Sequence, residues 1–378
     1  MNDIAAKKYP TSDSNIGPHD QEWLNRQARG GTVSTTGATV KVFEASLAEK
    51  LGVESENVLA TNSGTSALHL ALLSAGVGPG DEVIMPALSF VATAEVVRYC
   101  GATPVFVDVR RDTWTMDGSK AHDAMTERTK AFLPVHLYGL VADTWDLGYL
   151  VAPKEGYLRI SGRRGNIPII EDACQALGAF DAYGRPAGTI GDYAAFSFNG
   201  NKVITTGAGG ALIGKDLSLA RKLASHGRDD TGFHEMVGYN YGMPALNAAL
   251  GMSQLGQLEK FLLKKIRFRE IYVNELAIRS KVIFQGGTVE PWSYLSSWWL
   301  TAAVFPEWDA EDLQEVLQEK GIMTRRVFRP LNHFPPYADG KVHENAECIY
   351  HHGLCLPSST TLSERDIMTV CKEIKGVL

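Results

Sequence analysis

The chain has 378 residues, 44% of them apolar and 21% charged, and a formal net charge of -6. This is length enough for one large and one smaller domain, with ample core and no need of disulfide staples. A mildly acidic chain without a basic tail excludes a dedicated nucleic-acid surface, and nowhere do eighteen apolar residues run together to span a membrane.

The five cysteines, Cys100, Cys174, Cys348, Cys355 and Cys371, are odd in number and contain no C-x-x-C pair. They read as reduced thiols of a cytoplasmic protein. The charges at Met1 to Lys8 are not followed by an apolar stretch, so this is not read as a signal peptide.

In chain order, residues 1–30 are polar, with Pro10, Ser12, Ser14, Gly17 and Pro18, and read as an arm that docks late or lies over a neighbour. Gly30 to Gly37 form a small-residue loop, and Val40, Phe43, Leu47 and Leu51 then recur at helical spacing. Asn57 to Thr61 predict a strand that turns directly into a helix beginning near Ser63, Gly64 and Thr65. The unpaired N–H groups of such a helix start either hold an anion or are merely capped.

Short β-rich runs follow at Glu82–Met85, Pro104–Asp108, Ala131–His136, Ile167–Ile170, Tyr193–Phe198 and Ala211–Ile213, separated by helical or loop segments. Apolar strands alternating with helices predict an α/β fold with a mostly parallel central sheet covered on both faces, and ligands at the strand carboxyl ends. Residues 141–165 interrupt this as a polar surface excursion. A helical pattern from Tyr239 toward Leu276 is long enough to span two domains. A strand at Trp298–Val304 and helices at Asp309–Lys320 and Ser363–Ile374 then build a smaller α+β domain. The expected organisation is an arm at 1–30, a large domain at 31–260 and a small domain at 261–378.

Chemistry concentrates after the Tyr193–Phe198 run, where Lys202 enters a glycine-rich bend. A lysine at the end of a buried strand is poorly hydrated, which disfavours its ammonium and frees the amine to attack a carbonyl. That is the requirement of a Schiff-base lysine, whose commonest partner is pyridoxal 5'-phosphate (PLP); the alternative is a surface lysine in a loop. Asp172 ends another apolar run. It reads either as the partner of a protonated pyridine nitrogen or as a cap on the following helix. Gln175, a turn further, is within reach of the cofactor's ring oxygen. Phe90 reads either as a ring stacked on the pyridine or as an ordinary core residue. No metal site is expected.

The motifs Thr61-Asn-Ser-Gly-Thr-Ser-Ala-Leu68, Gly78-Pro-Gly-Asp-Glu-Val-Ile84, Phe90-Val-Ala-Thr93, Glu171-Asp-Ala-Cys-Gln175, Gly188-Thr-Ile-Gly-Asp192, Ser197 to Lys202, Thr206 to Gly210, Gly238-Tyr-Asn-Tyr241 and Ala248-Ala-Leu-Gly251 form an ordered set. With them the chain resembles the DegT/StrS family of sugar-nucleotide aminotransferases, which have the fold-type I PLP-enzyme architecture. The resemblance implies that Lys202 bonds the cofactor and shuttles protons, Asp172 faces the pyridine nitrogen, Phe90 stacks and Gln175 meets the ring oxygen. It further implies that Gly64, Thr65, Ser66 and Ser197 bind the phosphate. Asn240 would reach that phosphate from the other subunit of a homodimer. Two positions depart from the family pattern: Gly242 stands where Arg is common, and Asn332 precedes His333 where a His often follows Pro-Leu.

With L-glutamate as donor, the acceptor implied by Ser197–Lys202, Met243–Leu250, Arg329–Leu331 and Pro335–Tyr337 is the C4 keto group of UDP-2-acetamido-2,6-dideoxy-4-keto-hexose. The alternative is GDP-4-keto-6-deoxymannose, giving perosamine. Arg325, Arg326 and Arg329 either pair with a diphosphate or form a solvated basic edge. A nicotinamide oxidoreductase is disfavoured because Gly76–Gly80 runs from helix to strand. A non-catalytic PLP-binding regulator would need a DNA-reading module that the length leaves no room for.

Overall fold

The large sheet contains a single reversed strand, and the reversal creates the loop that carries Lys202. The computed structural model describes residues 8–35, 37–143, 167–229, 231–277, 281–287 and 295–378, so most of the 141–165 excursion lies outside the described residues. The strands are β1 (Val58–Thr61), β2 (Glu82–Pro86), β3 (Thr103–Val107), β4 (Thr129–Phe132), β5 (Ile170–Asp172), β6 (Tyr193–Ser197) and β7 (Gly210–Gly214). They form the ladders β3-β2-β4 and β1-β7-β6-β5. Parallel bridges at Phe132–Ile169 and Val135–Asp172 join these into one sheet.

Strand β2 is parallel to β3 and β4, and β5 to β6, whereas β7 is antiparallel to both neighbours. A parallel return needs a long crossover, usually a helix, and the 198–209 loop supplies none. Strands β1, β2 and β7 are buried at every position, as a sheet covered on both faces requires. The covering helices include α1 (Pro18–Arg29), α2 (Ala38–Leu51), α3 (Gly64–Ser74), α4 (Ala92–Tyr99), α5 (Gly118–Asp123) and α6 (Ser218–Ala224).

The long helix predicted from Tyr239 is instead two helices, α7 (Ala245–Leu255) and α8 (Leu258–Tyr272), continued by a π turn at Val273–Ala277. The break has a local cause at Gln257. Its N–H bonds Gln254 O at 3.0 Å in a tighter turn, while its side-chain amide takes Ser253 O at 3.2 Å and Asp20 Oδ1 at 3.0 Å. The buried Asp20 also accepts from Ser253 Oγ at 2.7 Å, so α1 is pinned to α7 at this joint.

A second core gathers Phe268, Tyr272, Leu313, Leu317, Ile367 and Cys371, among others. It packs on an antiparallel sheet of order β10-β11-β9-β8, comprising β8 (Ile283–Phe284), β9 (Thr301–Val304), β10 (Arg325–Arg326) and β11 (Gly353–Leu356). Helices α9 (Ala310–Glu319), α10 (Glu344–His352) and α11 (Glu364–Lys375) complete the region. The predicted strand begins only at Thr301, because Trp298 turns the chain with φ 44°.

The arm lies on its own chain. Tyr9 pairs with Ile322, Ser358 N donates to Thr11 O at 2.9 Å, and α1 packs on α7. The described arm residues thus touch both cores. All five cysteines are free, with Cys100, Cys355 and Cys371 buried, and no described helix is long and apolar enough to cross a membrane.

Candidate active site

Strands β5 and β6 end side by side and parallel, which brings Asp172 and Ser197 to the same edge of the sheet as the start of α3. An open cavity of about 380 Å³ lies there, lined by Gly64, Thr65, Phe90, Asp172, Gln175, Ser197 and Lys202. Seven of the nine residues predicted for the site therefore share one cavity.

The cavity floor at the start of α3 is shaped for an anion. Ser63 caps the helix by accepting from Ser66 N at 3.0 Å. The N–H groups of Gly64 and Thr65 are the first in the helix and have no carbonyl of a preceding turn to bond. A Cβ on Gly64 would fall 2.7 Å from both Cys174 Sγ and Ser197 Cβ, and one on Gly210 would fall 2.5 Å from Ser63 O. Glycine at these positions keeps the floor open and lets β7 pass close behind. Ser197 Oγ accepts from Asn199 N at 3.4 Å, which leaves the hydroxyl proton for the cavity.

Ser66 is placed differently from the expectation. Its hydroxyl donates to Asn62 Oδ1 at 2.6 Å and lies 2.8 Å from Ser63 Oγ, so it stands behind the floor and braces it. The brace continues to Asn240, whose backbone O accepts from Asn62 Nδ2 at 2.9 Å. Asn240 itself is exposed and does not line this chain's cavity.

Asp172 is 3% exposed and held at both oxygens. Thr93 Oγ1 donates to Oδ2 at 2.7 Å, and Cys174 N donates to Oδ1 at 3.2 Å. Gln175 spends its Oε1 on Tyr138 N at 2.9 Å, so its amide NH2 is the end left to meet a ligand oxygen. Phe90 is no core residue: it is 52% exposed at the cavity wall, 5.7 Å from the ring of Phe328.

The Lys202 amine lies 3.8 Å from the centre of the Trp299 ring. Burial pushes it down from the ordinary lysine value to about 8; the Asp172 carboxylate opposes that fall and the Arg325 guanidinium adds to it. This is the neutral-amine supply that the sequence argument required.

Beneath Asp172, the fully buried Glu171 accepts from Gly188 N at 2.8 Å and from Ile190 N and Gly191 N at 2.7 Å. His136 Nε2 lies 2.8 Å from Glu171 Oε2. Because His136 Nδ1 accepts from Ala142 N at 3.1 Å, the imidazole proton is on Nε2 and is donated to the carboxylate. Burial alone would raise the Glu171 carboxyl, but His136 and these backbone donors outweigh it and hold the group below its ordinary value.

The three arginines part company. Arg325 lines the cavity, Arg326 pairs with Glu311 at 2.8 Å, and Arg329 Nε donates to Tyr350 OH at 3.0 Å. Of the two departures, Gly242 packs beside Thr35, where an added Cβ would meet Thr35 Cβ at 3.2 Å, and Asn332 Nδ2 bonds Lys341 O at 2.9 Å. Sequence reasoning missed the orienting role of Thr93 and the wall residues Trp299, Phe328, Asn199 and Asn201. Thr93 ends a motif already singled out, but no local pattern ties Trp299 to Lys202.

The residues present fit PLP: an open anion cradle, a buried carboxylate, a wall aromatic and an amine of lowered pKa converge on one cavity. Residues 14–375 match the DegT/DnrJ/EryC1/StrS aminotransferase family. The chain is similar to the GDP-perosamine synthase of Caulobacter vibrioides, at 37% identity over 359 residues covering 92% of each chain. It is also similar to the GDP-perosamine synthase of Escherichia coli O157:H7, at 32% identity over 377 residues covering 97% of this chain and 98% of the relative. Among solved structures, the aminotransferase TlmJ from Streptoalloteichus hindustanus matches with a TM-score of 0.89 and 28% identity over 98% of both chains. The PLP form of Spr1654 from Streptococcus pneumoniae matches with a TM-score of 0.88 and 27% identity, again over 98% of both. The chain belongs to the DegT/DnrJ/EryC1/StrS aminotransferase family and is a PLP-dependent sugar aminotransferase of fold-type I.

Proposed function

We propose that the chain moves the amino group of L-glutamate to the C4 keto group of GDP-4-keto-6-deoxymannose, giving GDP-perosamine. The observation that carries this choice of sugar is the similarity, over more than nine-tenths of the chain, to relatives named GDP-perosamine synthase. The UDP-linked acetamido sugar rests on the spelling of Ser197–Lys202, Met243–Leu250, Arg329–Leu331 and Pro335–Tyr337, and the relatives support the GDP alternative over it.

When bound, PLP supplies an aldehyde for the amine and a ring that accepts the electrons released as the substrate carbon loses its proton. The chain's residues do the rest. Gly64 N, Thr65 N and the Ser197 hydroxyl would hold the phosphate end, while Asp172 would keep the ring nitrogen protonated. Phe90 would cover one face, and the Gln175 amide would donate to the ring oxygen. Lys202, with its pKa near 8, would carry the proton off the donor's α-carbon in the first half of the reaction and deliver one to the sugar C4 in the second. Arg325 receives a substrate anion at the cavity wall.

The site is completed in a homodimer, where Asn240 of each chain serves the other's phosphate. Its exposure and its absence from its own chain's cavity support that reading. Mixing Lys202→Ala and Asn240→Ala chains is expected to restore activity that neither has alone; no gain on mixing would rule out shared sites.

The sugar is tested by supplying GDP- and UDP-linked 4-keto sugars with glutamate and measuring 2-oxoglutarate. A kcat/KM higher for the GDP substrate is expected, and preference for the UDP substrate would overturn the reading.

A further inference from the structure

Trp299 meets Lys202 twice. Its ring face lies 3.8 Å from the Lys202 amine, and its indole Nε1 donates to the carbonyl of Asn201, the residue immediately before. The same indole therefore holds the backbone from which the lysine springs and the amine at its tip. The carbonyl of Trp299 is held in turn by the buried Lys265 of α8, whose amine donates to Trp299 O at 2.9 Å and Ser358 O at 2.8 Å. Thr301 N donates to Ser358 Oγ at 3.0 Å, so the stretch following Trp299 is fastened at two points.

One turn along α8, Arg269 lies 3.9 Å over the ring of Trp298 and donates to Gln285 O at 2.8 Å and Gly287 O at 2.7 Å. Trp298 has φ 44°, a conformation that a bulky residue holds only when its surroundings impose it. On the other side Gly139 backs the corner so closely that a Cβ there would lie 2.8 Å from Trp298 N and 3.0 Å from Trp299 N. Among the described residues, the amine of Lys265 bonds carbonyl oxygens and no carboxylate. Two buried basic side chains with carbonyl partners thus grip a strained corner whose outward product is one indole plane under Lys202.

We propose that Trp299 is the positioning residue of the Lys202 amine, its ring face supporting the ammonium and its N–H fixing the Asn201 carbonyl, with Lys265 as its anchor. A cation on an indole face is favoured over the same cation without it. The ring therefore counteracts part of the burial that disfavours the Lys202 ammonium, as does Asp172, whereas Arg325 works the other way; the Cys174 thiol is also close by. The consequence is an amine that can hold a proton during transfer without turning away from the substrate carbon.

The inference rests on Lys202 being the reacting amine. Its test reads that amine directly, so the choice of sugar substrate does not enter. Full-length chain freed of cofactor is acetylated with limiting acetic anhydride across a pH series, and labelling at Lys202 is followed by peptide mass spectrometry. The wild-type midpoint is expected near 8. Trp299→Leu is expected to lower it by about half a unit to one and a half units, and Trp299→Phe, which keeps a ring face, by less than half as much.

Lys265→Met is expected to lower the midpoint too, because the indole loses its anchor; burial already pushes the Lys265 amine down to about 7, so little charge is lost with it near the Lys202 midpoint of about 8. A wild-type midpoint in a folded Trp299→Leu chain, an equal fall in Trp299→Phe, or a rise in Lys265→Met would each overturn the proposal. If Trp299→Leu does not fold, fluorinated tryptophan incorporated throughout the chain preserves the ring shape while weakening its face. A lowered midpoint then supports the proposal, and an unchanged one refutes it.

Discussion

Thr93 Oγ1 donates to Oδ2 of Asp172 across 2.7 Å, and Ser89 Oγ lies 2.9 Å from the same threonine oxygen. The contact joins the start of α4 to the end of β5. A hydroxyl from one element fixes the carboxylate of another, so Asp172 faces the cavity in a single orientation. Thr93→Val keeps the shape and removes the donor. Hydrogen bonds to charged groups contribute about 1.5–3 kcal/mol to folding stability, so the melting temperature is expected to fall by several degrees, and kcat about tenfold as the Asp172 carboxylate loses its fixed orientation. Steady-state kinetics beside a thermal melt make the check.

On the proposed mechanism Lys202 carries the chemistry, and its removal is expected to be the most damaging single change. Lys202→Ala is expected to lower 2-oxoglutarate release by about four orders of magnitude while cofactor still binds noncovalently. In the wild type only the neutral amine can join an aldehyde. With the amine's pKa lowered to about 8, the rate of PLP uptake by stripped enzyme is expected to climb with pH and level off above about 8. A climb continuing toward the ordinary lysine value would show that burial does not tune this group.

Gly64→Ala fills the proposed phosphate cradle. The new Cβ would sit 2.7 Å from Cys174 Sγ and Ser197 Cβ, so α3 or β6 must move. Overpacking of this kind costs about 1–3 kcal/mol. The expected readouts are a lower melting temperature and PLP affinity weakened tenfold or more, measured by equilibrium dialysis.

Adjacent arginines are expected to differ. Arg325 lines the cavity and disfavours the Lys202 ammonium, whereas Arg326 is paired with Glu311 and stacked over Tyr350 at 4.5 Å. Arg325→Ala is expected to raise KM for an anionic substrate about tenfold or more and to raise the Lys202 pKa. Arg326→Ala is expected to leave KM within about twofold, since its partner is outside the site. Equal effects would undo the distinction.

Glu171 supports the site from below, and its response to acid is a check on that support. Its carboxyl is held below the ordinary value in the folded chain. Its stabilisation is therefore present above the unfolded value of about 4.3 and is lost as pH falls through the lower folded value. Glu171→Gln is expected to destabilise the chain by about 3–5 kcal/mol at neutral pH, because it leaves backbone donors and His136 short of an acceptor. It is also expected to flatten the loss of stability below about pH 4.3. Urea unfolding at several pH values separates the two effects.

Residue order alone determined the α/β class, the position of Asp172 at a strand end, and the helix that starts at Gly64. These are local facts: apolar alternation, a cap and a glycine are written within a few neighbouring residues. The break at Gln257 was not legible, because one of the acceptors that hold its side-chain amide is Asp20, far away in sequence. Nor was the reversal of β7, which depends on the lack of a crossover helix. Ser66 was expected among the phosphate-binding positions, yet folding spends its hydroxyl on Asn62. The tertiary structure decided which of three arginines faces the cavity and that Trp299 lies under Lys202. Sequence patterns record what the backbone does with its near neighbours, whereas an orientation held by contacts across distant segments exists only once those segments have packed.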